Sequence, residues 1–247
     1  MISPSAPSPA PIRISCGRVL LAGREILAPL DLTLSEQRIG VIGRNGSGKT
    51  TFLRLLAGLI PAESGSVSVN GADLARERKL ALRQIGILFQ NPDHQILFPT
   101  VEEELAFGLR QQGLSQSAAL AHAHQALRAE GRAHWARMPV SSLSGGQKQF
   151  LCLLSVLMMA PSTLLLDEPF SGLDLPTIFR LKRRLAALPQ RLITITHDPA
   201  SLEEAQRLIW IERGAVLADG PPATVLPVFT SEMERLGAFD ADTDLAG

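Results

Sequence analysis

The chain has 247 residues, and its 24 lysine and arginine residues balance 24 aspartate and glutamate residues. A net charge of zero argues against a nucleic-acid partner bound through bulk positive charge, and 45% hydrophobic residues exclude a disordered chain. The two cysteines, Cys16 and Cys152, make no disulfide framework, and no apolar run reaches the roughly 20 residues that span a bilayer. Composition therefore predicts a soluble intracellular protein.

Residues 1–11 are rich in proline, serine and alanine and lack the features of a secretory signal, so we expect a flexible tail there. Residues 12–247 are expected to form one domain with a sheet-based core, an inserted helical subdomain and a short C-terminal segment. The expected bounds are about 12–91 and 161–225 for the core, about 92–160 for the helical subdomain and 226–247 for the C-terminal segment.

Short apolar runs bounded by glycine, proline or polar residues predict strands. These runs lie at 12–21, 30–34, 38–43, 66–69, 85–89, 163–167, 192–196, 208–211 and 215–218. Helices are predicted at 49–57, 116–130, 147–159 and 173–188, and another one starts at a capping box formed by residues 100–103. This order predicts a mostly parallel α/β sheet with an inserted helical lobe.

Residues 43–50, GRNGSGKT, match the phosphate-loop pattern and lie between a predicted buried strand and a helix. The glycines let backbone N–H groups converge on a phosphate, which also meets the positive end of the helix. Lys49 adds charge for the β- and γ-phosphates, and the Thr50 hydroxyl can ligate Mg²⁺. The predicted nucleotide-binding residues are Gly43, Asn45, Gly46, Ser47, Gly48, Lys49, Thr50 and Thr51.

Two carboxylates, Asp167 and Glu168, follow the apolar run 163–166. At the carboxyl end of a strand in a parallel sheet they would lie at the edge where ligands bind. Asp167 can hold Mg²⁺ through water, and Glu168 can act as the general base for an attacking water. Together with a phosphate loop, this pattern indicates nucleoside triphosphate hydrolysis.

The stretch Leu143-Ser-Gly-Gly-Gln147 resembles the signature of ATP-binding cassette (ABC) ATPases. Gln90 matches the Q-loop of that family, residues 171–174 (SGLD) match its D-loop, and His197 matches its switch histidine. The resemblance covers about residues 12–225. It implies a P-loop NTPase (RecA-like) ABC nucleotide-binding domain, of α/β class, with antiparallel β elements and an inserted helical subdomain.

The family resemblance also implies an ATP- and Mg²⁺-dependent ATPase that works as a head-to-tail dimer. Glu168, His197 and Gln90 would be the catalytic residues, and Thr50, Gln90 and Asp167 would surround the Mg²⁺. Four signature residues and one D-loop residue would act at the dimer interface: Ser144, Gly145, Gly146, Gln147 and Asp174. The resemblance implies a homodimer and leaves open a heterodimer with a paralogue.

Residues 89–108 resemble the Q-loop region of energy-coupling factor (ECF) importers. That group implies an integral-membrane coupling protein, a substrate-binding membrane subunit, and a peripheral position on the cytoplasmic face of the inner membrane. The apolar residues Ile96-Leu97-Phe98 could form a groove for the coupling protein or belong to the core. Within the group the stretch is most similar to ATPases of biotin uptake, and the ATPase of a cobalt or nickel importer is the alternative. Outside the group, the alternative is a soluble ABC ATPase without a membrane partner.

Three further features carry expectations of their own. The family usually places an aromatic residue before the phosphate loop to stack on adenine, and in this chain we expect aliphatic residues near Leu20 or Leu21 to fill that role. The acids at 102–104 are expected to favour a helix start. His122 and His124, two residues apart on a helix, are expected to be exposed polar residues and not metal ligands.

Overall fold

Residues 10–238 are described by the computed structural model, so the expected tail at 1–11 lies almost entirely outside the described residues. A six-stranded sheet forms the centre, in the order β12-β11-β5-β10-β9-β8. Five of its strands run parallel, and β12 pairs antiparallel with β11 at one edge. The strands are β5 (Arg38–Ile42), β8 (Ile85–Leu88), β9 (Thr163–Asp167), β10 (Arg191–Thr196), β11 (Arg207–Glu212) and β12 (Ala215–Gly220).

A second, antiparallel sheet has the order β4-β1-β6-β7, and a separate hairpin pairs β2 with β3. Its strands are β1 (Ile12–Cys16), β4 (Leu30–Leu34), β6 (Gly65–Val69) and β7 (Ala72–Asp73), and the hairpin joins β2 (Val19–Leu21) to β3 (Arg24–Leu27). The predicted strand at 12–21 is therefore two strands in different sheets. The break between β1 and β2 lies at Gly17 and Arg18, where the Gly17 N–H donates to the Ser64 carbonyl oxygen at 2.9 Å. The turn at Ala22 and Gly23, both with positive φ, then allows β3, which was not predicted.

Helix α1 (Lys49–Leu56) lies between the two sheets. Its side chains Phe52 and Leu56 join one apolar cluster with Ile14 of the antiparallel sheet and with Val41 and Ile193 of the parallel sheet. Helices cover the opposite face of the parallel sheet through further apolar clusters. Coverage on both faces explains why the parallel strands are continuous apolar runs without alternation.

The helical subdomain contains α3 (Val101–Gln111), α4 (Gln116–Ala129) and α5 (Gly145–Met158). Their apolar faces meet in a core that includes Leu105, Leu127, Trp135 and Leu151. The capping box predicted at 100–103 is wrong, because the Thr100 hydroxyl donates to the Glu103 carboxylate and caps no backbone N–H.

Three other helices complete the described fold: α2 (Arg78–Arg83), α6 (Leu175–Ala186) and α7 (Pro222–Gly237). Helices α2 and α7 were not predicted, and α7 runs across the expected boundary at residue 225. It packs Val225 and Phe229 against Trp210 of β11. Between residues 10 and 238, no helix is both long and apolar enough to cross a membrane.

Candidate functional site

The phosphate loop follows β5 and leads into α1, as its sequence pattern predicts. Gly43 lies so close to β11 that a Cβ atom there would come within 2.0 Å of the Ile211 carbonyl oxygen. Gly48 has a φ of 107°, which only glycine adopts without strain. Gly43 thus lets the loop pass directly against β11, and Gly48 provides the left-handed backbone conformation that precedes α1.

Lys49 is buried and turns back over the loop, where its Nζ donates to the carbonyl oxygens of Gly43 at 2.7 Å and Arg44 at 2.8 Å. Burial lowers the pKa of Lys49 from its ordinary value, while the carboxylates of Glu168 and Asp167 act against that shift. The ammonium group is thus held at the loop by carbonyl groups that a phosphate can replace.

Asp167 ends β9, and Glu168 begins the turn that follows. Asp167 is only 9% exposed, and its burial, together with the neighbouring Glu168, raises its pKa, while Lys49 acts in the opposite direction. Glu168 has a φ of 45°, in the left-handed region that is sparsely populated by residues other than glycine. Such backbone strain concentrates at functional sites.

The Glu168 carboxylate is held by the end of β10. Its Oε2 accepts from the Thr196 hydroxyl at 2.8 Å, and its Oε1 accepts from the His197 backbone N–H at 2.9 Å. The His197 Nδ1 lies 2.8 Å from the same Oε1. The predicted base and the predicted switch histidine are therefore in direct contact, 29 residues apart in sequence.

One cleft of about 280 Å³ brings together the predicted nucleotide-binding, catalytic and Mg²⁺-binding residues with the exception of Gly43. The strand order β5-β10-β9-β8 accounts for this, because the phosphate loop, His197, the two carboxylates and Gln90 follow the carboxyl ends of adjacent parallel strands. The cleft is lined by Ile26, Asn45, Gly46, Ser47, Gly48, Lys49, Thr50, Thr51, Gln90, Asp167, Glu168 and His197.

These residues fit ATP and Mg²⁺. The buried Ser47 hydroxyl has no hydrogen-bond partner in the described protein, and a phosphate in the loop would supply an acceptor. Thr50, Gln90 and Asp167 line the same cleft, and their oxygen atoms are of the kind that Mg²⁺ prefers.

The signature residues lie elsewhere. Ser144 caps α5, because its hydroxyl accepts from the Gln147 N–H at 3.3 Å, while the Gln147 side chain accepts from the Ser144 N–H at 2.7 Å. Asp174 caps α6 by accepting from the Thr177 N–H at 3.1 Å. All four signature residues and Asp174 line a separate pocket of about 560 Å³. The start of α5 therefore lines a different pocket from the phosphate loop of the same chain.

Several neighbours of the cleft were not found from the sequence. Ile26 lines the cleft, whereas Leu20, which is 38% exposed, and Leu21 do not. Arg44 of the loop forms an ion pair with Glu212 of β11 at 3.0 Å. No local pattern marks these residues, because the hairpin and β11 bring them together over long sequence distances.

Comparison with known proteins decides the family. The ABC transporter family model matches residues 27–171, more than half of the chain. This chain belongs to the ABC transporter family of ATP-binding proteins. The predicted enzyme class, an ATPase of ABC transport, and the predicted fold are therefore confirmed.

Two relatives of this ABC protein support the ECF resemblance. The biotin transport ATP-binding protein BioM of Rhodobacter capsulatus is 49% identical over 92% of this chain and 98% of that protein. An energy-coupling factor transporter ATP-binding protein of Latilactobacillus sakei is 35% identical over 83% of this chain and 75% of that protein. The prediction of an ECF-type ATPase subunit is thereby confirmed.

A solved structure agrees with this assignment. The cbiO1 protein of Clostridium perfringens, described as part of the ABC transporter complex cbiONQ, superimposes with a TM-score of 0.74 and 26% identity. The match covers 87% of this chain and 90% of that chain. The ABC fold described above is therefore shared with a subunit of a transporter complex.

Proposed function

We propose that this ABC protein is the ATP-hydrolysing motor subunit of an ECF-type importer for biotin. The observation that carries the coupling role is one continuous segment, Gln90 to Phe98. It starts in the nucleotide cleft, where Gln90 donates to the Ser171 hydroxyl at 3.4 Å, and reaches the surface at Leu97, which is 66% exposed. The biotin assignment is supported by the relative from Rhodobacter capsulatus.

The active form is a head-to-tail dimer. A helix N-terminus with free N–H groups stabilises an anion, but the start of α5 does not line the chain's own phosphate cleft. In the dimer, ATP lies between the phosphate loop of one copy and the signature residues Ser144, Gly145 and Gly146 of the other. Each chain then supplies half of two equivalent sites, as a homodimer.

Binding of ATP exchanges the contacts of Lys49. Its Nζ leaves the carbonyl oxygens of Gly43 and Arg44 for oxygens of the β- and γ-phosphates, and the Ser47 hydroxyl gains a partner. Thr50, Asp167 and Gln90 would hold Mg²⁺, which neutralises phosphate charge when bound. Because Asp167 is buried next to Glu168, a cation at this place also relieves the repulsion between the two carboxylates.

Hydrolysis depends on Glu168 and His197. The Glu168 carboxylate accepts a proton from the water that attacks the γ-phosphorus, and the bond from that phosphorus to the bridging oxygen of ADP breaks. His197 and Thr196 fix the carboxylate for this step, and the His197 ring faces the γ-phosphate from the end of β10. Loss of the γ-phosphate then separates the two copies.

The partners follow from the surface end of the segment. Leu97 contacts an integral-membrane coupling protein, a separate membrane subunit binds biotin, and the ATPase occupies the cytoplasmic face of the inner membrane. Closing and opening of the dimer moves the segment and therefore the coupling protein.

The test combines purification with transport. The tagged chain, extracted gently from native membranes, should co-purify with two small membrane proteins. In liposomes, complexes whose ATPase subunit faces the lumen should accumulate labelled biotin only when the lumen contains ATP. Lys49→Ala is the matched control, because it keeps the complex but removes the phosphate contact. Uptake of Co²⁺ or Ni²⁺ without biotin would contradict the substrate, and recovery without membrane proteins would contradict the transporter.

A further inference from the structure

A buried carboxylate lies outside the nucleotide cleft, at the start of the helical subdomain. Glu104, in the first turn of α3, is only 5% exposed. Its Oε2 accepts from two consecutive backbone N–H groups, those of Leu97 at 2.8 Å and Phe98 at 3.0 Å. Glu104 lies in the first turn of α3, as expected for an acid at a helix start, and its carboxylate in addition binds the backbone of the preceding segment.

No lysine or arginine within residues 10–238 forms an ion pair with Glu104. Burial of a carboxylate without a cation is unfavourable unless hydrogen bonds offset it. The two N–H groups of the loop supply that offset, and hydrogen bonds to a carboxylate are stronger than those between neutral groups. The burial of Glu104 thus fixes the backbone of the segment at the residue that reaches the surface.

The other end of the segment is held by the parallel sheet. The Gln95 side chain accepts from the Phe89 N–H at 3.1 Å and donates to the Ile87 carbonyl oxygen at 3.2 Å. Ile87 lies in β8, and Phe89 directly follows this strand. The Glu104 backbone is itself tied to α5, because its carbonyl oxygen accepts from the buried Ser155 hydroxyl at 3.4 Å. Glu104 therefore joins the Leu97 turn to the helix that carries the signature.

We propose that Glu104 is a positioning residue for coupling: it makes Leu97 and the helical subdomain move as one body. The inference rests on the proposed function, because it assigns a role within that coupling segment. A force on Leu97 from the membrane partner then reaches α5 and the signature through Glu104, without any contact between Glu104 and ATP.

The test uses the complete transporter complex and two variants. Glu104→Ala removes the acceptor of both hydrogen bonds and should lower the stimulation of ATPase activity by the membrane subunits about tenfold, the order of effect expected when hydrogen bonds to a charged group are lost. The basal activity of the isolated chain and its KM for ATP should not change. Glu104→Gln keeps one acceptor oxygen and should restore most of the stimulation. Glu103→Ala, an exposed neighbour on the same helix turn, is the matched control and should behave as wild type.

Full stimulation in a folded Glu104→Ala complex, or an equal loss in Glu103→Ala, would overturn the proposal. If Glu104→Ala does not fold, amide hydrogen exchange of the wild-type chain decides. The Leu97 and Phe98 amides should then exchange slowly although Leu97 is exposed, and fast exchange would overturn the proposal. Failure of the wild-type chain to bind any membrane subunit would instead reject the proposed function. The exchange rates of the Leu97 and Phe98 amides do not depend on that binding, so the two failures can be distinguished.

Discussion

The nucleotide cleft and the signature pocket differ in what each one lacks. The cleft is lined by the phosphate loop with Lys49 and by two carboxylates, and among the described residues none from the start of α5 lines it. The signature pocket has a capped helix start with free N–H groups, but no phosphate loop. In the proposed head-to-tail dimer, each one supplies half of an ATP site.

The two regions also differ in how tightly their polar groups are paired. In the cleft, the Glu168 carboxylate accepts two hydrogen bonds and lies 2.8 Å from the His197 Nδ1, whereas Asp167 is buried beside it with a raised pKa. In the signature pocket, Ser144 and Gln147 satisfy each other in a capping box. In the cleft, the carboxylates of Asp167 and Glu168 therefore repel each other, and a bound cation can reduce this repulsion. In the signature pocket, the polar groups of Ser144 and Gln147 are already paired without a ligand.

The largest expected effect is on the rate of ATP hydrolysis, from a substitution that changes the cleft and leaves the signature pocket intact. Glu168→Gln removes the base but leaves the phosphate loop intact, so turnover should fall by about 10²–10⁴ with ATP affinity retained. Steady-state hydrolysis and equilibrium binding of labelled ATP measure the two quantities. Glu203→Gln changes an exposed glutamate outside the cleft and should leave both unchanged. Hydrolysis near the wild-type rate in Glu168→Gln would refute the assignment.

The next largest effect is expected from a substitution that changes the signature and leaves the cleft intact. Ser144→Arg should block the composite site, lowering turnover by about 10²–10³, the usual effect of losing preorganised donors to a transition state. ATP should still bind to the intact cleft of the same chain. Size exclusion with ATP in Glu168→Gln and in the Glu168→Gln/Ser144→Arg double variant tests this, since slow hydrolysis preserves the dimer.

Ser115→Arg is the matched control for that variant. Ser115 caps α4 as Ser144 caps α5, by accepting from a backbone N–H, so both changes remove a cap worth about 0.5–2 kcal/mol and add the same charge. Only the signature variant should lose the ATP-dependent dimer. A normal dimer in Ser144→Arg would contradict the head-to-tail arrangement.

A smaller effect concerns the repulsion stored in the cleft. Because burial and Glu168 raise the folded-state pKa of Asp167 above 3.8, its ionisation destabilises the ligand-free fold, and the stability present at low pH is lost as pH rises through the raised pKa. Asp167→Asn should therefore melt above wild type at pH 7 without ligand, by about 2–4 °C for each kcal/mol relieved. The difference should shrink as pH falls toward 3.8.

Thermal melts across this pH range, with and without Mg-ATP, check the prediction. Mg-ATP should stabilise wild type and do little for Asp167→Asn, which reverses their order. Asp31→Asn, on an exposed strand position, should melt with wild type throughout. A ligand-free Asp167→Asn that melts below wild type at pH 7 would show that Asp167 stabilises the empty cleft.

The cleft was largely predictable from the sequence, because each motif carries its own local signals. The phosphate loop, the carboxylates and the switch histidine all follow apolar strands, and the rules for parallel sheets bring strand ends together. Glu104 could not be predicted, since its function depends on a loop that folds back over it. His124 was expected to be exposed, but its Nε2 lies 2.6 Å from the Glu102 carboxylate, so the half-buried ring is paired.

The C-terminal helix α7 is a second feature that the sequence did not predict. Three prolines between residues 221 and 227 weaken the local helix signal, yet α7 forms because Val225 and Phe229 bury against Trp210. Tertiary packing overrides local propensity here. By contrast α5 was predicted well, since a capping box and a long apolar run agree.

The smallest expected effect concerns the link between the two regions. Arg184 of α6 makes a bidentate ion pair with Glu130 at the end of α4, at 2.6 and 2.9 Å, and so ties the helical subdomain to the sheet-based core beside the signature pocket. Both side chains are partly exposed, so a double-mutant cycle with Arg184→Met and Glu130→Gln in urea should give a coupling of about 0.2–1 kcal/mol. High salt should reduce it.

A second bidentate pair, Arg207 with Asp219, joins adjacent strands of the same sheet and is the matched control. Loss of either pair lowers stability, but only loss of Arg184–Glu130 frees the helical subdomain to change its angle to the cleft. The Arg184→Met variant should therefore alter the rate of ATP-dependent dimer formation, and Arg207→Met should not. Equal dimerisation rates in the two variants would mean that the ion pair stabilises the fold without setting the distance between the two half-sites.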